Sequence, residues 1–434
     1  MYFQQLIALK GDDILHLKKK YVDIKNIVFD TKTFLEGSTL HVSKEELSEV
    51  AKDYRIKNFE FDLAFPGENT RISRVYDVIE PMYKPNGPTF PGVADKMGRV
   101  GDGDTIVLRG MGVTEVIDAE LPYYMNIDMS GPITEMTMIL PHIIHLCMIP
   151  EIADAIPKNE YLDAVSIASK KIAKYVAEKC ADATPDEVEE FYLKETGLEG
   201  LPKVCYIDLI FCHAPLTDTI YYGKDCLPMI PTIVHPNEIL DGALINRDFY
   251  QVLNADPTIY YQHQPVVLEL MKRHGKDINF VGVVLSSIHH DVVEKERSAM
   301  LVAGLVKNVL KADGAVITKE GGGHPQIDVA LCCDFCEELG VKTTILLHET
   351  LSSKNPTSEL VLFTTPNADA MVTSGCMTDY MLPKVERIIG PDWAKDRAGI
   401  KVFSLYEEQM VDLRGYLRGF LSQIGKTNFT SLKY

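Results

Sequence analysis

Short runs of alternating hydrophobic and polar residues fill the first third of the chain. The runs at residues 26–29, 39–42, 59–63 and 105–108 contain β-branched or aromatic residues and are bounded by Gly, Pro or Asp, which predicts β-strands. A short helix is predicted at residues 43–54, because Ser43 can cap its first turn and Glu46 follows three residues later. The pattern therefore predicts a β-rich domain at residues 1–155.

Residues 161–180 have the spacing of an amphipathic helix. Leu162, Val165, Ile172 and Val176 recur on one face, and lysines lie largely on the other. The residues that follow, 182–200, are acidic and rich in turn formers. We therefore expect a helical connector at residues 156–200.

From residue 201 onward, apolar runs alternate with segments of helical spacing. Strands are predicted at residues 204–211, 280–285, 315–318, 343–347 and 370–373, and helices at residues 291–312 and 326–339. Apolar strands separated by helices of this length are typical of a mostly parallel sheet covered on both faces. The protein is therefore expected to be of the α/β class, with an α/β domain at residues 201–390 after the β-rich domain.

A separate tail is predicted at residues 391–434. Ser404 and Glu407 have the spacing of a capping box, and an apolar stripe runs from Met410 to Ile424. Gly425 follows the stripe, as is common where a helix ends. These features predict a C-terminal helix.

Composition and charge indicate which classes of partner and which cellular compartment to expect. The 434 residues carry a formal net charge of -18, which argues against binding to nucleic acid or to anionic membranes, because both depend on Lys and Arg. The longest apolar run, at residues 136–150, contains Pro141, His142 and His145, so no membrane span is expected. Nine cysteines without a secretion signal fit reduced thiols, and the protein is expected to be cytoplasmic.

The central stretch of the chain, residues 229–267, lies between two halves of different character, and prolines interrupt it repeatedly. It contains His235-Pro236-Asn237-Glu238, then Asp241-Gly242-Ala243, then Asp256-Pro257-Thr258. With these motifs it resembles the internal processing region of the fused alpha/beta subunit of component B in glycine, sarcosine and betaine reductases. Further matching motifs extend the resemblance from about residue 20 to about residue 390, whereas the tail has no match.

The resemblance implies a proprotein that cleaves itself before a cysteine and converts that cysteine into a pyruvoyl group. Alignment of the motifs puts the family's cysteine at Phe249, three residues after Asn246. Pyruvoyl formation needs a Ser, Thr or Cys side chain as nucleophile, and none of the three occurs between Pro236 and Pro257. We therefore expect Asn246 and Phe249 to mark a degenerate processing site in a chain that carries no pyruvoyl group and no other cofactor.

A Gly-rich turn is the first candidate for substrate binding. Glu320-Gly321-Gly322-Gly323-His324 follows a predicted strand and precedes a predicted helix, a position at which backbone N–H groups can bind a carboxylate. The resemblance implies a similar Glu-Gly-x-Gly-Asn segment with a later acidic residue, which is Asp328 here. A tight strand-to-helix turn without a ligand explains the same residues equally well.

Four histidines are weaker candidates. His289 and His290 follow the strand predicted at residues 280–285 and can donate protons near neutral pH. The more common situation is a pair of partly exposed histidines beside Asp291 as a helix cap. His235 and His263 flank the central stretch, and the same ordinary interpretation applies to them.

The cysteines do not form a recognisable metal or redox motif. Cys332, Cys333 and Cys336 fall in the middle of a predicted helix, whereas redox pairs usually lie at a helix start, and the spacing shows no fourth zinc ligand. We therefore expect buried structural thiols and no metal site. Cys376 follows a predicted strand and is the one thiol to test for reactivity, although an inert role is favoured.

Aromatic residues cluster in and before the central stretch: Tyr221, Tyr222, Phe249, Tyr250, Tyr260 and Tyr261. Aromatic faces attract quaternary ammonium groups by about 0.5–2 kcal/mol per contact. A quaternary nitrogen cannot form a Schiff base with a carbonyl cofactor, so a chain without the pyruvoyl group can serve such a substrate, with Tyr260 and Tyr261 as candidate contacts. Ordinary packing of tyrosines is the alternative.

The resemblance also implies a function, namely substrate binding in a complex that reductively cleaves a C–N bond during amino-acid fermentation in anaerobes. The implied partners are a selenocysteine- or cysteine-bearing reductase subunit, the thioredoxin system indirectly, and a small amino-acid or betaine-like substrate, in an oligomeric assembly. No catalytic residue is assigned to this chain. Two alternatives stay open: a non-catalytic assembly paralogue, and a related reductase subunit whose substrate needs no Schiff base.

We predict that the purified protein runs as one full-length chain on a denaturing gel, because the central stretch lacks a nucleophile for self-cleavage. Intact mass spectrometry checks this at the level of single residues. Two fragments of similar size, one with a keto-acyl terminus, would show the prediction to be wrong.

Overall fold

The computed structural model describes residues 15–118, 125–137, 139–212, 219–247, 256–321, 323–349, 365, 367–376, 379–395, 402–412 and 424. Within these residues the protein is mixed α/β, with many strands and few helices, which confirms the predicted class. None of the helices in these ranges combines the length and the apolar character that a membrane span requires.

The first part of the chain is mostly β-structure. Its strands are β1 (Leu17–Asp23), β2 (Asn26–Phe29), β3 (Phe34–Glu36), β4 (Thr39–Val42), β5 (Ile56–Ala64), β6 (Thr70–Ile72), β7 (Val75–Ile79), β8 (Met82–Tyr83), β9 (Gly103–Arg109), β10 (Met111–Val116), β11 (Ile127–Asp128), β12 (Ile144–Ile152) and β13 (Glu187–Phe191). The four predicted strands correspond to β2, β4, part of β5 and part of β9.

Small sheets and two helices organise this part. The sheets have the orders β13-β1-β9-β8, β5-β12-β10-β7 and β2-β4-β3. Helix α1 (Lys44–Val50) begins after Ser43, whose hydroxyl accepts a hydrogen bond from the Glu46 N–H at 3.3 Å, as the capping pattern predicts. Helix α2 (Lys158–Glu178) buries its apolar face against the first two sheets.

The acidic segment after α2 contains a strand that the turn-rich composition did not predict. Strand β13 pairs antiparallel with β1, so that Glu190 lies opposite Lys18 and Glu189 opposite Lys19. Lys18 and Glu190 form an ion pair at 3.4 Å, and cross-strand pairs of opposite charge favour such pairing. The lysine lies about 170 residues away, beyond the reach of a local pattern. The domain limits near residues 155, 200 and 390 stay predictions.

The rest of the chain contains the longer parallel strands. Its strands are β14 (Lys203–Ile210), β15 (Ile220–Tyr221), β16 (Lys224–Asp225), β17 (Thr232–Val234), β18 (Leu244–Ile245), β19 (Asn279–Ser287), β20 (Gly314–Lys319), β21 (Lys342–Glu349), β22 (Ala370–Cys376), β23 (Asp379–Leu382), β24 (Arg387–Ile389), β25 (Trp393–Lys395), β26 (Val402–Ser404) and β27 (Gln409–Asp412). Its helices are α3 (Pro236–Leu240), α4 (Thr258–Gln262), α5 (Pro265–Arg273), α6 (Val292–Gly304) and α7 (Pro325–Glu338).

A six-stranded sheet of order β17-β19-β14-β20-β21-β22 is the largest unit. All its pairs are parallel except β17 with β19, which agrees with the predicted mostly parallel sheet. Alternate residues of β14 face opposite layers: Ile207 and Leu209 pack with α6 and α7, whereas Tyr206 and Ile210 pack on the side of α5.

The order of strands creates a switch point between β14 and β20. The chain passes from β14 to β19 on one side of β14, and then from β19 to β20 on the other side. Connections that leave in opposite directions open a crevice at the carboxyl ends of the two strands, where ligands of open α/β sheets bind. The Gly-rich turn follows β20 directly and therefore lies at this crevice.

The predicted start of the C-terminal helix is wrong. Ser404 ends strand β26, its hydroxyl accepts a hydrogen bond from the Tyr406 N–H at 3.2 Å, and residues 409–412 form β27. Met410 pairs with Met381 in an antiparallel ladder, so long-range pairing overrides the local helical spacing at this end. Of the remaining stripe, only Ile424 lies within the described residues, where it is buried.

A buried ion cluster ties α2 to the strands beneath it. Lys170 Nζ lies 2.7 Å from Asp77 Oδ2 on β7 and 3.1 Å from Glu115 Oε1 on β10, and all three side chains are buried. Burial by itself lowers the pKa of Lys170, but the two carboxylates outweigh it and raise the pKa above its usual range. The ammonium group is therefore charged and joins two buried acidic side chains, of which Glu115 has a pKa raised by burial.

We predict that Lys170→Met destabilises the protein by about 3–5 kcal/mol, because it leaves two buried carboxylates without their cation. Urea denaturation measures the change. Lys171→Met on the same helix is the matched control and should alter stability by no more than about 0.5 kcal/mol. Equal effects of the two substitutions would contradict the structural role given to Lys170.

Candidate active site

Glu320 joins three segments of the chain at the switch point. It follows β20 directly and is fully buried. Its carboxylate accepts hydrogen bonds from the N–H of Phe211, just after β14, at 2.8 Å and from the N–H of Asp256 at 3.1 Å. The hydroxyl of Tyr261 donates to it as well. The ends of β14 and β20 and the central stretch therefore meet at one carboxylate.

The turn after Glu320 needs glycine at its first position. Gly321 has a φ of +85°, and a Cβ there would lie 2.5 Å from Cδ2 of Phe211, which no side chain tolerates. Gly323 has a φ of +78°, but no atom lies within 4 Å of the position of its Cβ. The backbone of the turn thus packs against Phe211 at one end and faces open space at the other.

Residues after β19 and β20 form a polar cluster with α6 and α7. Lys295 of α6 is buried, forms an ion pair with Asp328 of α7, and places Nζ 3.1 Å from Nδ1 of His324. The N–H of His289 donates to Asp328 at 3.3 Å, and the rings of His290 and His324 lie 4.7 Å apart. The Gly-rich turn and the two adjacent histidines, predicted as separate candidates, therefore lie together.

Lys295 is the member of this cluster that sequence reasoning missed. It lies on the apolar stripe of α6, in line with Ala299 and Val302, which are buried. A lysine on the buried face of a helix is unusual unless it is paired. The position of Lys295 on this face could have identified it from the sequence, although its ion-pair partner, Asp328, lies 33 residues away.

Burial sets the protonation of the cluster. It raises the pKa of Asp328 above its usual range despite the opposing effect of Lys295. It also lowers the pKa of His289, so this imidazole favours the neutral form. The cluster therefore places a His289 imidazole that favours the neutral form beside the ion pair of Lys295 and Asp328.

A second polar chain lies on the other face of the sheet. The hydroxyls of Tyr206 and Thr318 are 2.6 Å apart, and Gln264 Nε2 donates to Tyr206 at 2.5 Å. Asp208 accepts from Thr318 at 3.4 Å with one oxygen, and its other oxygen has no hydrogen-bond partner in the described part of the chain. Burial, with Glu320 nearby, raises the pKa of Asp208 to about 7. Sequence reasoning missed this residue, although an acid inside the apolar run of β14 marks it.

The motif residues before Asn246 and Phe249 act as anchors. Asp241 is buried and accepts hydrogen bonds from Lys84 Nζ at 2.8 Å, the Gly101 N–H at 2.7 Å and the Thr105 hydroxyl at 2.7 Å. His235 caps α3 with Nδ1, and burial lowers its pKa to about 4. These residues fix the entry to the central stretch and do not reach the switch point.

Hydrogen bonds connect the two flanks of the segment that is predicted to be a degenerate processing site. The Asn246 N–H donates to the Thr258 hydroxyl at 3.0 Å, and Thr258 donates with its N–H and its hydroxyl to Asp77 at 2.7 and 2.6 Å. Phe249 itself lies outside the described residues. Asp256 follows this segment and contacts Glu320, so the C-terminal end of the segment lies at the switch point.

The tyrosines of the predicted aromatic cluster lie in two places. Tyr260 and Tyr261 are buried in α4, and Tyr261 contacts Glu320. Tyr221 and Tyr222 form an edge-to-face pair with ring centroids 4.8 Å apart, and both donate to Glu238. Phe249 and Tyr250 lie outside the described residues.

The cysteines of α7 are buried, as expected. Burial raises the thiol pKa of Cys332, Cys333 and Cys336, and that of Cys336 reaches about 12. The side chain of Cys376 lies outside the described residues. Within the described ranges, no group of three or more His, Cys, Asp or Glu residues is arranged to hold a metal ion.

Comparisons with known proteins agree on one family. A family model described as glycine/sarcosine/betaine reductase component B subunits matches residues 15–414. The match therefore extends into the tail, beyond the limit near residue 390 that the sequence motifs suggested. No solved structure matches the chain with significance.

Three relatives span nearly the whole chain. The glycine reductase complex component B subunits alpha and beta of Acetoanaerobium sticklandii are 34% identical over 387 residues, covering 87% of this chain and 89% of the relative. The sarcosine reductase complex component B subunit alpha of Peptoclostridium acidaminophilum is 34% identical with the same coverage. The betaine reductase complex component B subunit alpha of that organism is 30% identical, covering 87% and 88%.

We predict that Asp208 makes stability fall as the pH rises from about 4 to about 7. The folded protein keeps a proton on Asp208 up to about pH 7, whereas the unfolded chain releases it near pH 4. The loss is of the order of 4 kcal/mol across this window. Asp208→Asn should flatten the dependence and stabilise the protein above pH 7.

Melting temperatures between pH 4 and pH 9 test this effect of Asp208. The exposed Asp182→Asn serves as the control and should leave the profile unchanged. A wild-type protein whose stability rises steadily from pH 4 to pH 7, with Asp208→Asn following the same curve, would disprove the role of Asp208.

Proposed function

Because the chain belongs to the glycine/sarcosine/betaine reductase component B family, we propose that it is the substrate-binding subunit of a reductase complex that cleaves a C–N bond reductively. Its substrate is a small amino acid or a betaine-like compound. The binding site is the crevice at the carboxyl ends of β14 and β20.

The observation that supports this proposal is that three segments of the chain meet at Glu320. One buried carboxylate fixes the ends of the two strands that flank the switch point and also the return of the central stretch. Such an arrangement holds a crevice in a fixed shape, as small-molecule sites require. It also brings the segment that contains the family's processing position to the place where an open α/β sheet binds its ligands.

The substrate carboxylate is assigned to the polar cluster beside this crevice. Lys295 supplies a positive charge, and His324 precedes the first turn of α7, where backbone N–H groups and the helix dipole favour an anion. Asp328 orients Lys295 through their ion pair. His289 is assigned a hydrogen-bonding role near the amine end of the substrate.

The proposed subunit works without a pyruvoyl group. The hydroxyl nearest to the degenerate site on its C-terminal side is that of Thr258, which begins α4 and is hydrogen-bonded to Asp77 and to Asn246. These contacts assign Thr258 to the scaffold. The substrate is then bound by noncovalent contacts alone, and a quaternary amine becomes as acceptable as a primary one.

The nucleophile and the electrons are assigned to partners. A selenocysteine- or cysteine-bearing subunit attacks the substrate, and the thioredoxin system restores it, in an oligomeric complex. The described cysteines of this chain are buried, which fits a cytoplasmic protein that contributes binding surface rather than a reactive thiol. A non-catalytic assembly paralogue is the competing function, since it would keep the same fold and partner surface.

Titration calorimetry of the full chain with glycine, N-methylglycine and N,N,N-trimethylglycine tests the proposed site. His324→Ala and Lys295→Met should weaken binding roughly 10-fold or more, since a hydrogen bond to a charged group contributes about 1.5–3 kcal/mol. Lys307→Met, on the segment after α6, is the matched control and should bind as the wild type does. Unchanged affinity in folded His324→Ala protein would refute the site, and absence of binding by the wild type would favour the assembly paralogue.

Tyr261→Phe tests the aromatic contact to the substrate separately. This substitution keeps the ring and removes the hydroxyl that reaches Glu320, whereas Tyr261→Ala removes both. If the ring contacts a quaternary ammonium group, Tyr261→Ala should weaken N,N,N-trimethylglycine binding several-fold more than Tyr261→Phe does. Equal effects of the two substitutions would assign Tyr261 to the scaffold alone.

A further inference from the structure

A cavity of about 490 Å³ opens between strands β1 and β13 and helix α5. Its wall includes Tyr21, Glu189, Tyr192, His263, Met271 and Lys272. None of these residues belongs to the polar cluster around Lys295 or contacts Glu320 in the described hydrogen bonds. The volume falls within the range of about 300–1,000 Å³ that is typical of small-molecule sites.

Two opposite charges in this wall belong to exposed side chains. Among the described residues, neither the carboxylate of Glu189 nor the ammonium group of Lys272 has an ion-pair partner, and the two do not pair with each other. The neighbouring charges are satisfied: Arg109 pairs with Asp23 at 2.6 Å and with Glu187 at 2.5 Å. The cavity therefore presents one exposed anion and one exposed cation that form no ion pair in the described part of the chain.

Hydrogen bonds hold two ring side chains, Tyr21 and His263, in the wall of the cavity. Tyr21 is buried and donates its hydroxyl to Glu189 at 2.8 Å. Burial, together with Glu80 and Glu189, raises the pKa of Tyr21 far above its usual value, so this donor stays protonated. His263 lies 2.6 Å from the buried carboxylate of Glu80, which fixes its ring in the wall.

We propose that this cavity is a second binding site, which takes a small zwitterion of the amino-acid type. Glu189 binds the ammonium group beside Tyr21 and Tyr192, and Lys272 binds the carboxylate. The side chain of Met271 offers an apolar surface to the remainder of the ligand. An anion alone or a cation alone satisfies only one of the two exposed charges and binds more weakly.

Helix α4 connects this cavity to the switch point. Tyr261 donates to Glu320 there, whereas the next residue, Gln262, exchanges two hydrogen bonds of 2.9 Å with the backbone of Glu80. Glu80 in turn contacts His263 in the cavity wall. A ligand in the cavity therefore acts on a helix that also contacts the proposed substrate site, which suits an effector. The binding assignment itself does not depend on the proposed function.

Titration calorimetry of the full chain with glycine, N,N,N-trimethylglycine and L-leucine tests the cavity, with acetate and methylamine as single-charge controls. At least one zwitterion should bind ten-fold or more tightly than either control. Glu189→Gln and Lys272→Met should each weaken that binding at least ten-fold. Glu199→Gln and Lys276→Met, which lie outside the cavity wall, are the matched controls and should leave it unchanged.

Substitutions specific to each site distinguish binding in the cavity from binding at the switch point. His324→Ala should leave cavity binding intact, and Glu189→Gln should leave switch-point binding intact, so that each variant retains one of two binding events. The cavity proposal is overturned if no zwitterion binds, if acetate binds as tightly as the zwitterions, or if folded Glu189→Gln and Lys272→Met retain full affinity. It is also overturned if His324→Ala abolishes all binding, because the only ligand site is then the other one.

Discussion

A single buried carboxylate holds the switch point of the main sheet together. Glu320 accepts hydrogen bonds from the backbone after β14, from the backbone at the end of the central stretch and from the hydroxyl of Tyr261. Desolvating a carboxylate costs several kcal/mol, and donors at hydrogen-bond distance are what offset that cost. The segments that supply the donors are therefore held in place while Glu320 stays buried from solvent.

Other buried charges repeat this principle along the central stretch. In the first half of the stretch, Asp241 accepts hydrogen bonds from Lys84, Gly101 and Thr105. In the second half, Thr258 donates a hydrogen bond to Asp77, which also accepts one from Lys170. Each acid joins residues that are far apart in the chain. The stretch is thus positioned by ionic anchors rather than by long elements of its own, since α3 and α4 have only five residues each.

These anchors lie outside the segment that contains position 249. None of the anchoring groups is the residue at position 249, and the hydrogen bond between Asn246 and Thr258 closes the segment at its base. The described contacts that position the central stretch therefore involve side chains other than the one at position 249.

The sequence by itself determined the α/β class, the parallel character of the main sheet, most of its strands and helices, and the family. Those features follow from local periodicity and from motifs, which act over a few residues. It also indicated the Gly-rich turn and His289 as candidates. It did not reveal that they share Lys295 and Asp328, because those two residues lie 33 positions apart and meet only when α6 packs on α7.

Tertiary structure alone decided the rest. Strand β13 exists because its glutamates face the lysines of β1, and β27 exists because Met410 and Val411 pair with β23, although local composition predicts a turn-rich segment and a helix. The raised pKa of Asp208 likewise comes from burial beside Glu320. In each case the deciding energy belongs to contacts between distant residues, which no local pattern contains.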